Sequence, residues 1–272
     1  MELAGKTAIV SGATRKRGLG RAIALCLARA GANVVVTGSD RRPPHLTSEE
    51  QQAGWRGLAD VVQEIEALGV RAHGVSLDVT QSADVQRLMQ EAVERTGRID
   101  ILVNNAAYPR TEDDRVSVQD LDDALWRKII DVNLTGTMLC AKYAAKQMIA
   151  QGEGGSIVSI SSGAALKAPA TFSAYAASKA GTHALNSALA DELGAHGITA
   201  NVVAPGFLDT ARIDMLRVPE RWEKRLSTIP IKRPGTVEEV AELVRYLCGP
   251  NARWISGEVF MINGGEVRRA AN

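Results

Sequence analysis

The sequence predicts an α/β fold, a doubly wound parallel sheet of seven strands with helices on both faces, and three observations predict it. Short β-branched runs alternate with longer runs of helical periodicity from one end of the chain to the other. Gly31, Gly69 and Gly197 each stand just past a helical run and just before a strand, where a left-handed helix stop needs a residue without a Cβ. No internal repeat and no low-complexity linker marks a second domain, so residues 1–272 read as one unit.

In chain order the strands are expected over residues 6–10, 33–37, 72–76, 101–104, 156–160, 199–203 and 259–262. Helical patterns fill the gaps at 19–30, 58–68, 83–96, 121–151 with a break near Asn133, 172–196 and 237–247. Two stretches break the rhythm. Residues 39–56 (SDRRPPHLTSEEQQAGWR) are polar with a double proline and read as a surface loop after the second strand. Residues 207–234 hold two short helical patterns late in the chain, where a substrate lid is placed at the carboxyl edge of a parallel sheet.

Composition narrows the function. Of 272 residues 45% are hydrophobic and 23% charged, enough to bury a large core without staples. With 32 basic against 31 acidic side chains the formal net charge is +1, which gives no electrostatic argument for nucleic acid or for a charged membrane as partner. No apolar run reaches the roughly 18 residues of a membrane helix, and the opening MELAGKTAIVSG lacks the pattern of a secretion signal. Cys26, Cys140 and Cys248 show no metal or redox spacing and sit in apolar helical patterns, so buried thiols in a cytoplasmic protein are expected. His45, His73, His183 and His196 show no ligand spacing either, and no metal is expected.

The first strand runs through SGATRKRGLG, residues 11–20, directly into a helix. Glycine in such a turn lets the backbone approach a pyrophosphate, and the amides and dipole at the following helix start favour the anion. Gly12, Gly18 and Gly20 are the candidates. Their spacing resembles the cofactor turn of the short-chain dehydrogenase/reductase family, with two extra residues inserted among Arg15, Lys16 and Arg17. The resemblance implies a Rossmann-type fold and a bound nicotinamide dinucleotide.

Other segments resemble the same family in order. LDVT at 77–80 matches the adenine-edge segment, with Asp78 and Val79 as contacts, and NNAA at 104–107 matches the segment beside the cofactor. PGFLDT at 205–210 matches the nicotinamide side, where the Leu208 backbone and the Thr210 hydroxyl would hold the carboxamide. Asn263 in the last strand segment stands where aspartate is common. Cofactor contacts are thereby implied at Gly12, Thr14, Arg17, Gly18, Leu19, Gly20, Ser39, Asp78, Val79, Asn105, Ala106, Tyr175, Lys179, Pro205, Gly206, Leu208 and Thr210.

NAD-specific members of such folds place an acid at the end of the second strand, where it accepts from the ribose hydroxyls and repels a 2′-phosphate. That position is Gly38 here. Ser39 follows it, and Arg15, Lys16, Arg17, Arg41 and Arg42 can assemble a basic pocket, so NADP(H) is the expected cofactor. NAD(H) stays open as the alternative, with Asp40 reaching the ribose.

The most specific local feature is SAYAASKAG, residues 173–181. Tyr175 and Lys179 lie four apart in a helical run and so project from one face. A fixed ammonium beside a phenol favours the phenolate and makes it usable as an acid/base near neutral pH. Ser162, thirteen residues before Tyr175, matches the family's substrate-orienting serine, with Ser161 its near neighbour to be tested, and Asn133 in DVNLTG matches the family's water-anchoring asparagine. The resemblance implies hydride exchange with a ketone or secondary alcohol: Tyr175 passes the proton, Ser162 polarises the oxygen, Lys179 binds the ribose and tunes the tyrosine, and Asn133 ties a water to the lysine.

Enoyl reductases share the fold and a similarly long turn but space their tyrosine and lysine by seven residues, and position 182 is Thr182. A non-catalytic NADP(H)-sensing protein is the alternative from another class. Tyr108, Leu166, Phe172, Phe207, Met215, Leu216 and Trp222 are the candidate substrate walls, and Arg110, Arg212 and Arg217 could recognise an anionic group. Small-residue faces at 141–145 and 184–190 fit the helix pairing of a homodimer or homotetramer.

Overall fold

The computed structural model describes residues 1–39, 46–109 and 115–266, with every side chain in that range except those of Arg212, Met215 and Leu216. Asp40, Arg41, Arg42, His45 and Arg110 lie outside the described residues.

Seven strands, β1 (Thr7–Ser11), β2 (Asn33–Gly38), β3 (Ala72–Ser76), β4 (Ile101–Asn104), β5 (Gly155–Ile160), β6 (Ile198–Pro205) and β7 (Val259–Ile262), form one sheet in the order β3-β2-β1-β4-β5-β6-β7. Every pair is parallel. Strands covered on both faces must be apolar on both, which is why they read as continuous β-branched runs. Ala8, Val10, Val34, Val36, Ile101 and Val103 face one core, shared with α1 (Leu19–Arg29), α3 (Leu58–Glu66) and α9 (Val237–Cys248). Ile9, Val35, Leu102, Ile157 and Ile198 face the other, shared with α4 (Ser82–Thr96), α6 (Gly136–Gln151) and α7 (Ser173–Leu193). The strand order reverses direction between β1 and β4, and the crevice beyond their carboxyl ends is where such sheets bind ligands. Gly31, Gly69 and Gly197 adopt positive φ at their helix stops.

Two departures from the expected elements, and the expected break near Asn133, matter for the site. The polar stretch after β2 carries a short helix, α2 (Ser48–Gln52), started by a capping box in which Thr47 and Glu50 satisfy each other's backbone amides. The long helical pattern at 121–151 is two helices, α5 (Asp123–Ile130) and α6, joined by a π turn over Asp131–Thr135, where the Gly136 amide reaches back to the Asp131 carbonyl. Strand β6 runs to Pro205, two residues beyond the expected end, because Ala204 and Pro205 register with Met261 and Ile262 of β7. The excursion at 207–234 contains a 3₁₀ turn (Ala211–Leu216) and α8 (Pro219–Ser227).

The three cysteines are free and buried. Burial pushes the Cys26 thiol, beside Glu242, and the Cys140 thiol up to about 12. Among the described residues no helix is long and apolar enough to cross a membrane, and no group of three or more His, Cys, Asp or Glu could hold a metal ion.

Candidate active site

The glycine turn leaves β1 at Ser11 and enters α1 at Leu19. Gly12 sits at φ +71, and a Cβ there would lie 2.7 Å from the Ala106 Cα. A Cβ on Gly20 would lie 2.5 Å from the Gly12 carbonyl oxygen and 2.6 Å from Asn105 Nδ2. Both positions therefore exclude a side chain. Asn105 locks the cradle from the β4 side: Nδ2 donates to the Ser11 and Gly12 carbonyls at 2.9 and 3.0 Å, and Ser11 Oγ accepts from the Asn105 and Ala106 amides at 3.0 Å. The α1 N-terminus has no side-chain cap at Gly18 and no acid in its first turn, the arrangement that suits an incoming phosphate.

The two extra residues of the turn are held by the segment after β2. The Glu50 carboxylate, 1% exposed, accepts from Arg15 Nη1 at 2.7 Å and from the Lys16 amide at 3.0 Å. Burial opposes its ionisation, but the Thr47 and Lys16 amides and Arg15 outweigh it and hold the carboxyl below the usual range. Trp55 donates its indole N–H to the Thr14 carbonyl at 2.8 Å, and Arg21 covers its ring. Arg17 is more heavily committed, to Glu49 at 3.3 Å and to Asp214 at 2.6 Å, and its carbonyl accepts from the Ala211 amide. The basic residues of the turn thus face acids that the sequence reading did not pair with them.

On the opposite side, Tyr175 and Lys179 leave one face of α7, with Lys179 Nζ 6.0 Å from the Tyr175 ring centre. Lys179 is 4% exposed and donates to the Ile160 carbonyl at 2.7 Å. Ser162 starts a short 3₁₀ turn (Gly163–Ala165), with Oγ accepting from the Ala164 amide at 3.2 Å. Ser161 also borders the cavity, but its Oγ is engaged behind the wall: it donates to the Lys179 carbonyl and meets His183 Nε2 at 2.8 Å. Asn133 is fully buried in the π turn, where Oδ1 accepts from the Tyr108 amide at 2.8 Å and Nδ2 donates to Ser178 Oγ at 2.9 Å. Ser178 in turn donates to the Tyr175 carbonyl. Asn133 therefore lies behind the site wall and ties it together.

One cavity of about 1230 Å³ joins these parts. Its walls include every residue to which cofactor contact was attributed, from Gly12 and Ser39 through Asp78, Val79 and Ala106 to Pro205 and Thr210, together with Ser162, Tyr175 and Lys179. Leu208 enters it from a one-pair bridge to Gly235, made through the Phe207 carbonyl and the Asp209 amide, so the peptide groups of Leu208 itself are not used by the bridge. A family model described as Enoyl-(Acyl carrier protein) reductase matches residues 12–266. The chain is 38% identical over 269 residues to the short chain dehydrogenase/reductase astE of Aspergillus oryzae, spanning 97% of this chain and 95% of that one.

The chain belongs to the short-chain dehydrogenase/reductase family. It is also 36% identical over 266 residues to the 3-oxoacyl-[acyl-carrier-protein] reductase FabG of Aquifex aeolicus, across 97% of this chain and 98% of that protein. The crystal structure of a short chain dehydrogenase from Burkholderia cenocepacia in complex with NADP superposes with a TM-score of 0.83 at 36% identity, covering 98% and 99% of the two chains. The protein is accordingly an oxidoreductase of that family.

Within this short-chain dehydrogenase/reductase, several substrate-wall assignments change. Tyr108, Phe172 and Phe207 line the cavity; Leu166 is exposed and Trp222 packs behind Phe207 at 5.6 Å between ring centres. Arg217 is held by Asp209 at 2.5 Å and by Asp214 at 3.2 Å. Arg115 and Lys167 line the cavity and were missed, as were Glu50 and Trp55. The Thr47-x-x-Glu50 spacing was a visible helix-start signal inside the polar stretch; nothing local marks Arg115 or Lys167.

Proposed function

We propose that the protein transfers hydride between NADP(H) and a ketone/secondary alcohol pair, reducing the ketone when NADPH is the donor. The observation that carries this reading is the meeting of Tyr175, Lys179 and Ser162 on the wall of the cavity that the glycine turn opens into. A nicotinamide dinucleotide bound there supplies the hydride. The cradle at Gly12 and Gly20 and the bare start of α1 fit its pyrophosphate.

The side chains do the rest. Ser162 donates to the carbonyl oxygen and orients it. Tyr175 gives that oxygen its proton, with the buried Lys179 ammonium beside the ring favouring the phenolate left behind. Asn133 holds the Tyr108 peptide and, through Ser178, the first turn of α7, which keeps the phenol in place. The excursion at 207–234 closes the substrate end.

The NADP(H) preference is supported by Gly38, which offers no carboxylate to the ribose and whose missing Cβ leaves room for the Thr14 methyl. Arg15 is a better partner for a 2′-phosphate than Arg17: both line the cavity, but Arg15 commits only Nη1 to an acid while Arg17 commits both Nη1 and Nη2. The Burkholderia relative's complex with NADP agrees with this. The matching family model carries an enoyl reductase description, but the four-residue spacing of Tyr175 and Lys179 favours carbonyl reduction. A homodimer or homotetramer in the cytoplasm belongs to the same reading, supported by partly exposed Trp126, Met138 and Ile149 on α5 and α6 and by three free buried thiols.

The test is oxidation of NADPH and of NADH followed by nicotinamide absorbance against a panel of ketones and of enoyl thioesters. Ketone-dependent turnover with a higher kcat/KM for NADPH is expected. Turnover of enoyl compounds alone, or none with any acceptor, overturns the reading.

A further inference from the structure

The cations around the cavity divide into those already neutralised and those that are not. Arg17 is held by Glu49 and Asp214, Arg217 by Asp209 and Asp214, and Arg225 by both oxygens of Glu266. Arg15 sits at the cofactor end with Glu50. Apart from Lys179, which belongs to the reacting group, two cavity-lining cations remain, Arg115 and Lys167, and no ion pair joins either to a carboxylate among the described residues.

Arg115 is placed by its side chain, and Lys167 by its backbone, next to elements that carry the reacting groups. The Arg115 guanidinium lies 5.4 Å from the Phe172 ring centre, and Phe172 meets the Tyr175 ring edge-on at 6.4 Å. The cation–π contact holds the guanidinium over the substrate end. Lys167 follows the turn that Ser162 begins, with its amide donating to the Gly163 carbonyl at 3.1 Å. The Arg115 guanidinium is thus one ring removed from Tyr175, and Lys167 follows, within the same turn, the Ser162 that would grip the carbonyl oxygen. Pro109, Ala164 and Pro169 add apolar lining to the same cavity.

From this placement, and resting on the ketone-reductase reading above, we infer that the substrate is an oxo acid. Its ketone lies between Ser162 and Tyr175, and its carboxylate is received by Arg115 and Lys167. A guanidinium accepts a carboxylate in bidentate fashion, and the second cation adds attraction without demanding a fixed geometry. A neutral ester or thioester of the same acyl chain makes neither contact.

The experiment pairs short 2-, 3- and 4-oxo acids with their methyl esters and with neutral thioesters of the same acyl chains, NADPH being the reductant. The wild-type protein is compared with Arg115→Gln, Lys167→Gln and Arg115→Lys. We expect kcat/KM for at least one acid to exceed that of its ester about tenfold or more, chiefly through KM, as charge-assisted contacts give. The acid-to-ester ratio falls about tenfold in each glutamine variant and is largely kept in Arg115→Lys. Added salt lowers the ratio in the wild type. Esters or thioesters turned over as well as the acids, or a ratio unmoved by both glutamine variants, overturn the inference while the ketone reading stands. Failure of every ketone pair overturns that reading, and this inference with it.

Discussion

Glu50 reaches out of the polar segment after β2 and accepts from Arg15 at 2.7 Å, so the longer-than-usual glycine turn and the insertion beside it form one folded unit. The carboxylate also accepts from the Lys16 and Thr47 amides. Replacing it with alanine leaves three donors without their buried acceptor, a loss of about 1–3 kcal/mol for such groups. Glu50→Ala should weaken cofactor binding about tenfold with the carbonyl KM little changed, measured by cofactor titration and initial rates. Unaltered cofactor affinity would show that the turn holds its shape without this clamp.

The two adjacent serines should separate by what they break. Ser162 faces the cavity, and Ser162→Ala should lower kcat about 100-fold with an unchanged melting temperature, in the range of a lost oxyanion donor. Ser161 joins the end of β5 to α7 through the Lys179 carbonyl and His183. Ser161→Ala should lower the melting temperature by about 2 °C, as a buried hydrogen-bond loss of about 1 kcal/mol does in a chain of this size. The reverse pattern would exchange their roles.

Cofactor choice should respond to two positions together. A side chain at Gly38 runs into the Thr14 methyl. Gly38→Asp alone should therefore lose affinity for both cofactors, whereas Gly38→Asp with Thr14→Ser makes room for the acid. The double variant should shift the NADPH-to-NADH ratio of kcat/KM toward NADH by about 100-fold, the scale of one well-placed charge interaction. An unchanged ratio would remove strand β2 from the specificity argument.

Stability should fall in acid through Asp100, which is 4% exposed at the foot of β4. Burial raises its pKa, but Arg98 at 2.6 and 2.7 Å, the Thr7 amide and Lys6 outweigh it and hold the carboxyl low. A folded-state pKa below the unfolded value of about 3.9 gives stability that is complete above that value and is lost as pH falls through the folded one. Melting scans should show Asp100→Asn less stable than wild type at neutral pH, with the gap closing below about pH 4. A gap independent of pH would assign the loss to packing.

Much of this was legible because it rests on periodicity and on spacing. The seven β-branched runs gave the sheet, and the four-residue step from Tyr175 to Lys179 placed both on one face of α7. Tertiary pairing was not legible. The acids that occupy Arg15 and Arg17 come from α2 and from the excursion after β6, far along the chain, and no local pattern announces which charge meets which. The break at Asn133 was visible, but not that its amide would be used by Tyr108 and Ser178. Arg115 meets Phe172, 57 positions later, a contact that no local pattern marks.

The central claim is that the Tyr175 phenol delivers the proton, and Tyr175→Phe tests it most directly because the ring, its contact with Phe172 and its place over Lys179 are kept. Ketone-reductase kcat and cofactor dissociation constant, measured on the same preparation, should show a loss of about 1,000-fold or more in the first and little change in the second. A variant that keeps a tenth or more of wild-type turnover would contradict the account.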